Sequence, residues 1–229
     1  MNAQPDAMLG LLTLLQHGDS QFPSGAFAYS AGLEGLFADG HADNAGFDDL
    51  LATLIDCRWA SFERIALTRA WRAARDLDAL AALDAEIEAS LFAPVERAGA
   101  VRAGKALLTT HLRLATSGAV ALVQAIDGGR LRGHRVLIEG VLWQGLGVSA
   151  AQARALSGYA FVNGLCTAAV RLGRLGALAQ QGMLARLALR LAQWAEREVA
   201  ADEPLSAFSP LTEIAMMRRG ARAQGLFAT

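Results

Sequence analysis

Residues Ser149–Val170 read SAAQARALSGYAFVNGLCTAAV, and this stretch decides the fold. Ser149 followed by Gln152 matches a capping box, in which a hydroxyl and an amide each satisfy a free backbone donor, so a helix starts here. Through Tyr159, Phe161, Val162, Leu165 and Val170 it is apolar nearly all round, which places it at the centre of a bundle. The uncharged run from Ala155 to Val170 lies between Arg154 and Arg171 and contains Ser157, Asn163 and Thr167. It falls short of the roughly 18 to 20 apolar residues of a spanning helix, so no membrane partner is expected.

Outward from this helix the pattern repeats. Ala, Leu and Arg dominate, β-branched runs are scarce, and apolar residues recur at three and four positions. The expectation is an all-α chain: a single-domain bundle of about eight to ten helices with no sheet, its 229 residues sufficient for one core. A first helix covers roughly Ala7–Gln16 and ends in the turn of Gly18, Asp19 and Ser20 before Pro23. Asn44 is the N-cap candidate of a long helix that buries Leu51, Ile55, Trp59, Phe62 and Ala66. A polar break falls near Asp76 and Asp78, and Pro94 opens another helix. The stretch Ile126–His134, with three glycines, is the clearest loop and separates two helical halves. An amphipathic, peripheral helix carries Leu184, Leu187, Leu191 and Trp194 and ends by Pro204; a short helix over Leu211–Arg218 closes the pattern.

Hydrophobic residues make up 53% of the chain and mean hydropathy is +0.28, which leaves apolar surface that lipid or protein must cover. The net charge of −1 provides no field for nucleic acid or anionic lipid. Small Arg clusters at 130, 132 and 135 and at 218, 219 and 222 come without a stacking-aromatic pattern, so no nucleic-acid partner is expected. The N-terminal residues MNAQPDAMLG have no basic segment ahead of an apolar run, and a cytoplasmic location is expected. Cys57 and Cys166 form no CxxC pair and are read as buried small hydrophobes.

Chemistry finds little support. Gly99–Lys105, GAVRAGK, has phosphate-loop spacing, yet Ala106 stands where the magnesium-binding hydroxyl belongs and ERA precedes it on a helical pattern. The bland reading, a chance match inside an Arg-rich helix, is favoured; a nucleotide or metal enzyme built on it is the disfavoured alternative. His17, His41, His111 and His134 have no partner at the helical spacing of two ligands. No catalytic residue, metal site or cofactor is expected, and the chain is read as a non-enzyme that binds proteins.

The informative segment is Phe22–Glu34, FPSGAFAYSAGLE. Gly25, Gly32 and Gly35 each cost about 1 kcal/mol of helix propensity, which something must offset. On a helical reading Ala26, Tyr29, Leu33 and Leu36 share one face and Phe27, Ser30 and Glu34 another. A tight helix crossing in the core and a protein-docking face fit equally well.

With this segment, Gly133–His134, AAVRLGRLG (Ala168–Gly176), SPLTEIAMMR (Ser209–Arg218) and the closing Leu226–Phe227, the chain resembles the UreF-type urease accessory proteins. The resemblance implies a helical homodimer that bridges a UreD/UreH-type partner and the UreG-type GTPase, modulating GTP hydrolysis and nickel delivery to apo-urease. It implies partner contacts at Tyr29, Ser30, Glu34, Met217, Arg218, Leu226 and Phe227, with residues 1–20 and 205–229 as segments ordered by a partner. The chain departs from the family pattern at Arg219, Gly220 and Gly225, and at Arg174, where a proline is usual. A generic helical adaptor unrelated to urease is the alternative that the apolar surplus alone supports.

Overall fold

The computed structural model describes residues 3–25, 32–43 and 46–220. Asn44 lies outside them. All regular structure in the described residues is helical, and there is no strand. The elements are α1 (Ala3–Gly18), α2 (Leu33–Ala38), α3 (Phe47–Leu54), α4 (Arg64–Arg72), α5 (Leu77–Ser90), α6 (Pro94–Arg113), α7 (Ala119–Asp127), α8 (Arg135–Gly145), α9 (Ala150–Arg171), α10 (Ala177–Glu196) and α11 (Pro210–Gly220). A π-helical stretch, Ile55–Glu63, joins α3 to α4 in one rod, which leaves ten helices among the described residues.

Local chemistry sets the helix starts. Asp76 caps α5 by accepting from the amides of Asp78 and Ala79, Pro94 opens α6, and the capping box at Ser149 and Gln152 is fully formed at the head of α9. The rod buries Leu51, Ile55, Trp59, Phe62 and Ala66 on one side. Its π-helical stretch is held where the chain returns after α10: the Ser206 amide donates to the Ser61 carbonyl at 3.0 Å, and the Ser61 hydroxyl to the Ser206 carbonyl at 2.9 Å. The periodicity of apolar residues is blind to that extra residue per turn, because the buried side does not change.

The most enclosed helix is α8, while α9, which the sequence pattern placed at the centre, packs against α10, α4, α1, α2 and the π-helical stretch but is open at Tyr159. Val136 to Trp143 are all buried, with α4, α5 and α6 packed around them. Glu139 is buried among them, paired with Arg135 at 2.7 Å. A side chain at Gly140 would meet the Leu67 carbonyl and Ala70, so this glycine sets how closely α8 and α4 approach. On α9, by contrast, Tyr159 is exposed and Phe161 half-buried. The loop before α8 therefore does not divide the molecule into halves; it folds α8 back against the helices that precede it.

Two apolar clusters result, one around α8 and one between α3, α9 and α10. The outer side of α10 is fixed by Arg186 on Asp48 and Arg190 on Asp56. That helix ends at Glu196, well ahead of Pro204. Cys166 is buried, and burial, with Asp48 adding to it, pushes its thiol up to about 11; Cys57 is exposed, against expectation.

Candidate partner-docking surface

The two most distinctive stretches of sequence, far apart along the chain, meet in space as α2 and α11. Gly32 has a φ of +82°, in the left-handed region, so the helix begins only at Leu33 and cannot run through Gly32 as a continuous helical reading requires. A Cβ on Gly32 would lie 2.6 Å from the Thr212 carbonyl oxygen, and one on Gly35 2.8 Å from that of Ala215. The glycine notches of α2 are thus filled by the protein's own α11. For Gly32 and Gly35 the tight crossing is the arrangement seen.

That crossing leaves the far side of α11 open. Thr212, Ala215 and Met216 face inward and are buried, while Phe208, Leu211, Ile214 and Met217, three residues apart, are exposed at 71%, 56%, 41% and 38%. Arg218 borders the stripe and, itself exposed, reaches the largely buried Asp39 after α2 at 3.6 Å. A second open face lies on α1, where Met8, Leu9, Leu11, Leu12 and Leu15 are exposed although the helix packs on α9. These two terminal helical regions hold nine of the sixteen large exposed hydrophobic side chains among the described residues. The apolar surplus is therefore concentrated instead of scattered, the pattern of an interaction surface.

Beneath α11 sits a charged cluster. Arg58 pairs with Glu63 and Glu96, each at 2.9 Å, and Glu213 of α11 faces the same group. Burial works against the Arg58 charge, but Glu63 and Glu96 outweigh it and hold the guanidinium above its ordinary pKa. Glu96 is raised, by burial first and then by Glu63 and Glu213. These side chains border an apolar cavity of about 230 Å³ reached by Met216.

The sequence motifs divide between positions. Met217 and Arg218 lie on the open side of α11, Glu34 is buried in the first turn of α2, and Tyr29, Ser30, Leu226 and Phe227 lie outside the described residues. Gly133 and His134 serve the core: the His134 ring is held between Asp84 at 2.7 Å and Glu88 at 2.9 Å. Asp84 also accepts the amides of Arg132, Gly133 and His134. Burial raises the Asp84 carboxyl, but His134 and these amides outweigh it and leave its pKa below the ordinary value. In AAVRLGRLG, Arg174 lies over the Phe37 ring at 5.5 Å and so ties the end of α9 to α2.

GAVRAGK runs through the interior of α6, where backbone amides bond within the helix and cannot cradle a phosphate. A side chain on Gly104 would collide with the Gly133 carbonyl, which accounts for the glycine by packing. No three His, Cys, Asp or Glu side chains converge as a metal site among the described residues, and no helix is long and apolar enough to cross a membrane. Sequence reasoning missed the stack of His17 on His111 and the apolar stripe of α11, both of which depend on which helices meet.

Comparison with known proteins agrees on one family. The UreF family model matches residues 41–188. A urease accessory protein UreF from Kocuria rhizophila is 32% identical, over 96% of this chain and 97% of its own. The protein of the same name from an Arthrobacter species is 31% identical over 90% and 92%, and that from Actinobacillus pleuropneumoniae 28% over 85% and 88%.

Proposed function

Since this chain belongs to the UreF family of urease accessory proteins, we propose that it is a non-catalytic, cytoplasmic adaptor that bridges a UreD/UreH-type partner and a UreG-type GTPase during nickel delivery to apo-urease. The observation that carries the reading is the placement of its exposed apolar residues on α1 and α11, the two helices nearest the chain termini. One face suits the UreD/UreH-type partner, and the pairing of two copies leaves a surface for the GTPase. Met217 and Arg218 are the contacts we assign on α11, and Tyr29, Ser30, Leu226 and Phe227 are assigned as contacts from their motifs alone. Glu34 is buried and reaches a partner only if its surroundings rearrange. As a bridge it acts by binding one nucleotide state of the GTPase more tightly than the other, since a ligand indifferent to two states shifts neither.

Co-expression with a UreD/UreH-type and a UreG-type protein tests this. We expect one complex containing two copies of the chain, and a GTP hydrolysis rate that differs from that of the free GTPase. A folded full-length chain that captures neither protein overturns the reading.

A further inference from the structure

Two histidines without a role so far meet across the fold. His17, in the last turn of α1, stacks on His111, in the last turn of α6, with ring centroids 5.2 Å apart. Phe22, in the turn after α1, closes the triangle at 4.5 Å and 5.6 Å. The Nδ1 of His17 lies 2.8 Å from the Thr13 carbonyl oxygen. A carbonyl only accepts, so Nδ1 carries the proton and Nε2 of the neutral ring is a bare lone pair. His111 is fully buried, its Nδ1 2.9 Å from the Thr116 hydroxyl. Both Nε2 atoms are buried without a hydrogen-bond partner.

Such a cluster tolerates only neutral rings. A proton on either Nε2 makes a buried donor with no acceptor, and protons on both set two cations face to face. Burial, and then His17, pushes the His111 pKa down to about 4. At His17 burial again lowers it, and the Thr13 bond offsets only some of that. The charged groups that share the adjoining cavity of about 390 Å³ with His17 are Asp19 from the turn, Arg135 and Glu139 from α8, and Arg171 from α9. Arg135 and Glu139 are joined to each other, and the polar contacts of the two rings run to Thr13 and Thr116.

We propose that His17, Phe22 and His111 form an acid-sensitive latch that holds the C-terminal end of α1 and its following turn against α6 and lets them go when the rings are protonated. Its bearing on partner capture rests on the reading of α1 as a docking face; its opening does not. Released rings titrate near the ordinary value of 6.5, and held rings lower. The released form therefore binds more protons, so the hold is complete above 6.5, weakens as the pH falls, and levels off below the held values. From His111 alone, the ratio of released to held α1 rises about tenfold between pH 7.5 and 5.5.

Hydrogen exchange on the full chain at those two pH values tests it, with rates corrected for intrinsic exchange. Protection of residues 12–18 relative to residues 64–70 of α4 is expected to fall about tenfold. His111→Leu should shrink that fall, and His17→Phe with His111→Leu should abolish it. An unchanged ratio, or an undiminished fall in the double variant, overturns the proposal. Where His111→Leu also exposes α4, His17→Phe alone decides: a diminished fall supports the latch and a full one overturns it. Partner capture, assayed separately at both pH values, distinguishes failure of the latch from failure of the adaptor reading.

Discussion

On α8, Val136 to Trp143 are all enclosed, a glycine and a carboxylate among them; at the α2–α11 pair the same kinds of residue leave one side open. Both regions use glycine to bring backbones close, Gly140 and Gly104 at α8, Gly32 and Gly35 at α2. They differ in what secures the crossing. The junction of α5 with the loop entering α8 is tied by Asp84, which takes the His134 ring and three backbone amides. The α2–α11 crossing shows a close steric fit together with the 3.6 Å pair of Arg218 and Asp39 among its described contacts. A junction held by buried hydrogen bonds resists displacement, because each bond broken leaves a desolvated group; one held by fit gives way to a surface that fits better.

The sharpest test of that contrast is Asp84→Ala. It strands three amides and a buried imidazole, and the expected loss is about 3–5 kcal/mol of unfolding free energy in urea. A loss under about 1 kcal/mol would erase the distinction between the regions. The pH profile should agree. A carboxylate whose folded pKa is depressed contributes stability that is complete above its unfolded value of 3.8 and fades as the pH drops through the folded one. Asp84→Asn should flatten that acid limb.

Next in size is Gly35→Ala, whose new methyl lies 2.8 Å from the Ala215 carbonyl and 2.9 Å from its Cβ. Overpacking of this kind costs about 1–3 kcal/mol. If the crossing is held by fit alone, the damage stays local: limited proteolysis should cut sooner at residues 205–220, while exchange at Val136–Trp143 is unaltered. Equal loss of protection in both regions would show the edge to belong to the core.

The sequence was most readable where a residue acts on its own helix. The capping box at Ser149, Pro94 at the head of α6 and the apolar spacing of the rod depend on neighbours within a turn or two, so one chain suffices to see them. It misled where a distant partner changes what a residue means. The apolar residues of α9 pointed to enclosure nearly all round, yet Tyr159 is exposed. Gly32 has the composition of a helix interior and the backbone of a helix start. For the candidate site, the motifs drew attention to both segments, but that α11 fills the notches of α2, and so turns its own apolar stripe outward, is a tertiary fact with no signature at either place.

The smallest effect on stability should accompany a large effect on binding, and that pairing separates a docking face from a poorly covered core. Leu211→Ser with Ile214→Ser removes two side chains that are already 56% and 41% exposed, so folding should change by about 0.5 kcal/mol or less. Leu137→Ala, fully enclosed in α8, should cost about 2–5 kcal/mol. Capture of a UreD/UreH-type or UreG-type partner by the double variant should weaken at least tenfold, about 1.4 kcal/mol, measured by titration calorimetry at matched helix content. Native-like capture by that variant would move the docking face off α11 and leave α1, through Leu9→Ser with Leu12→Ser, as the face to test.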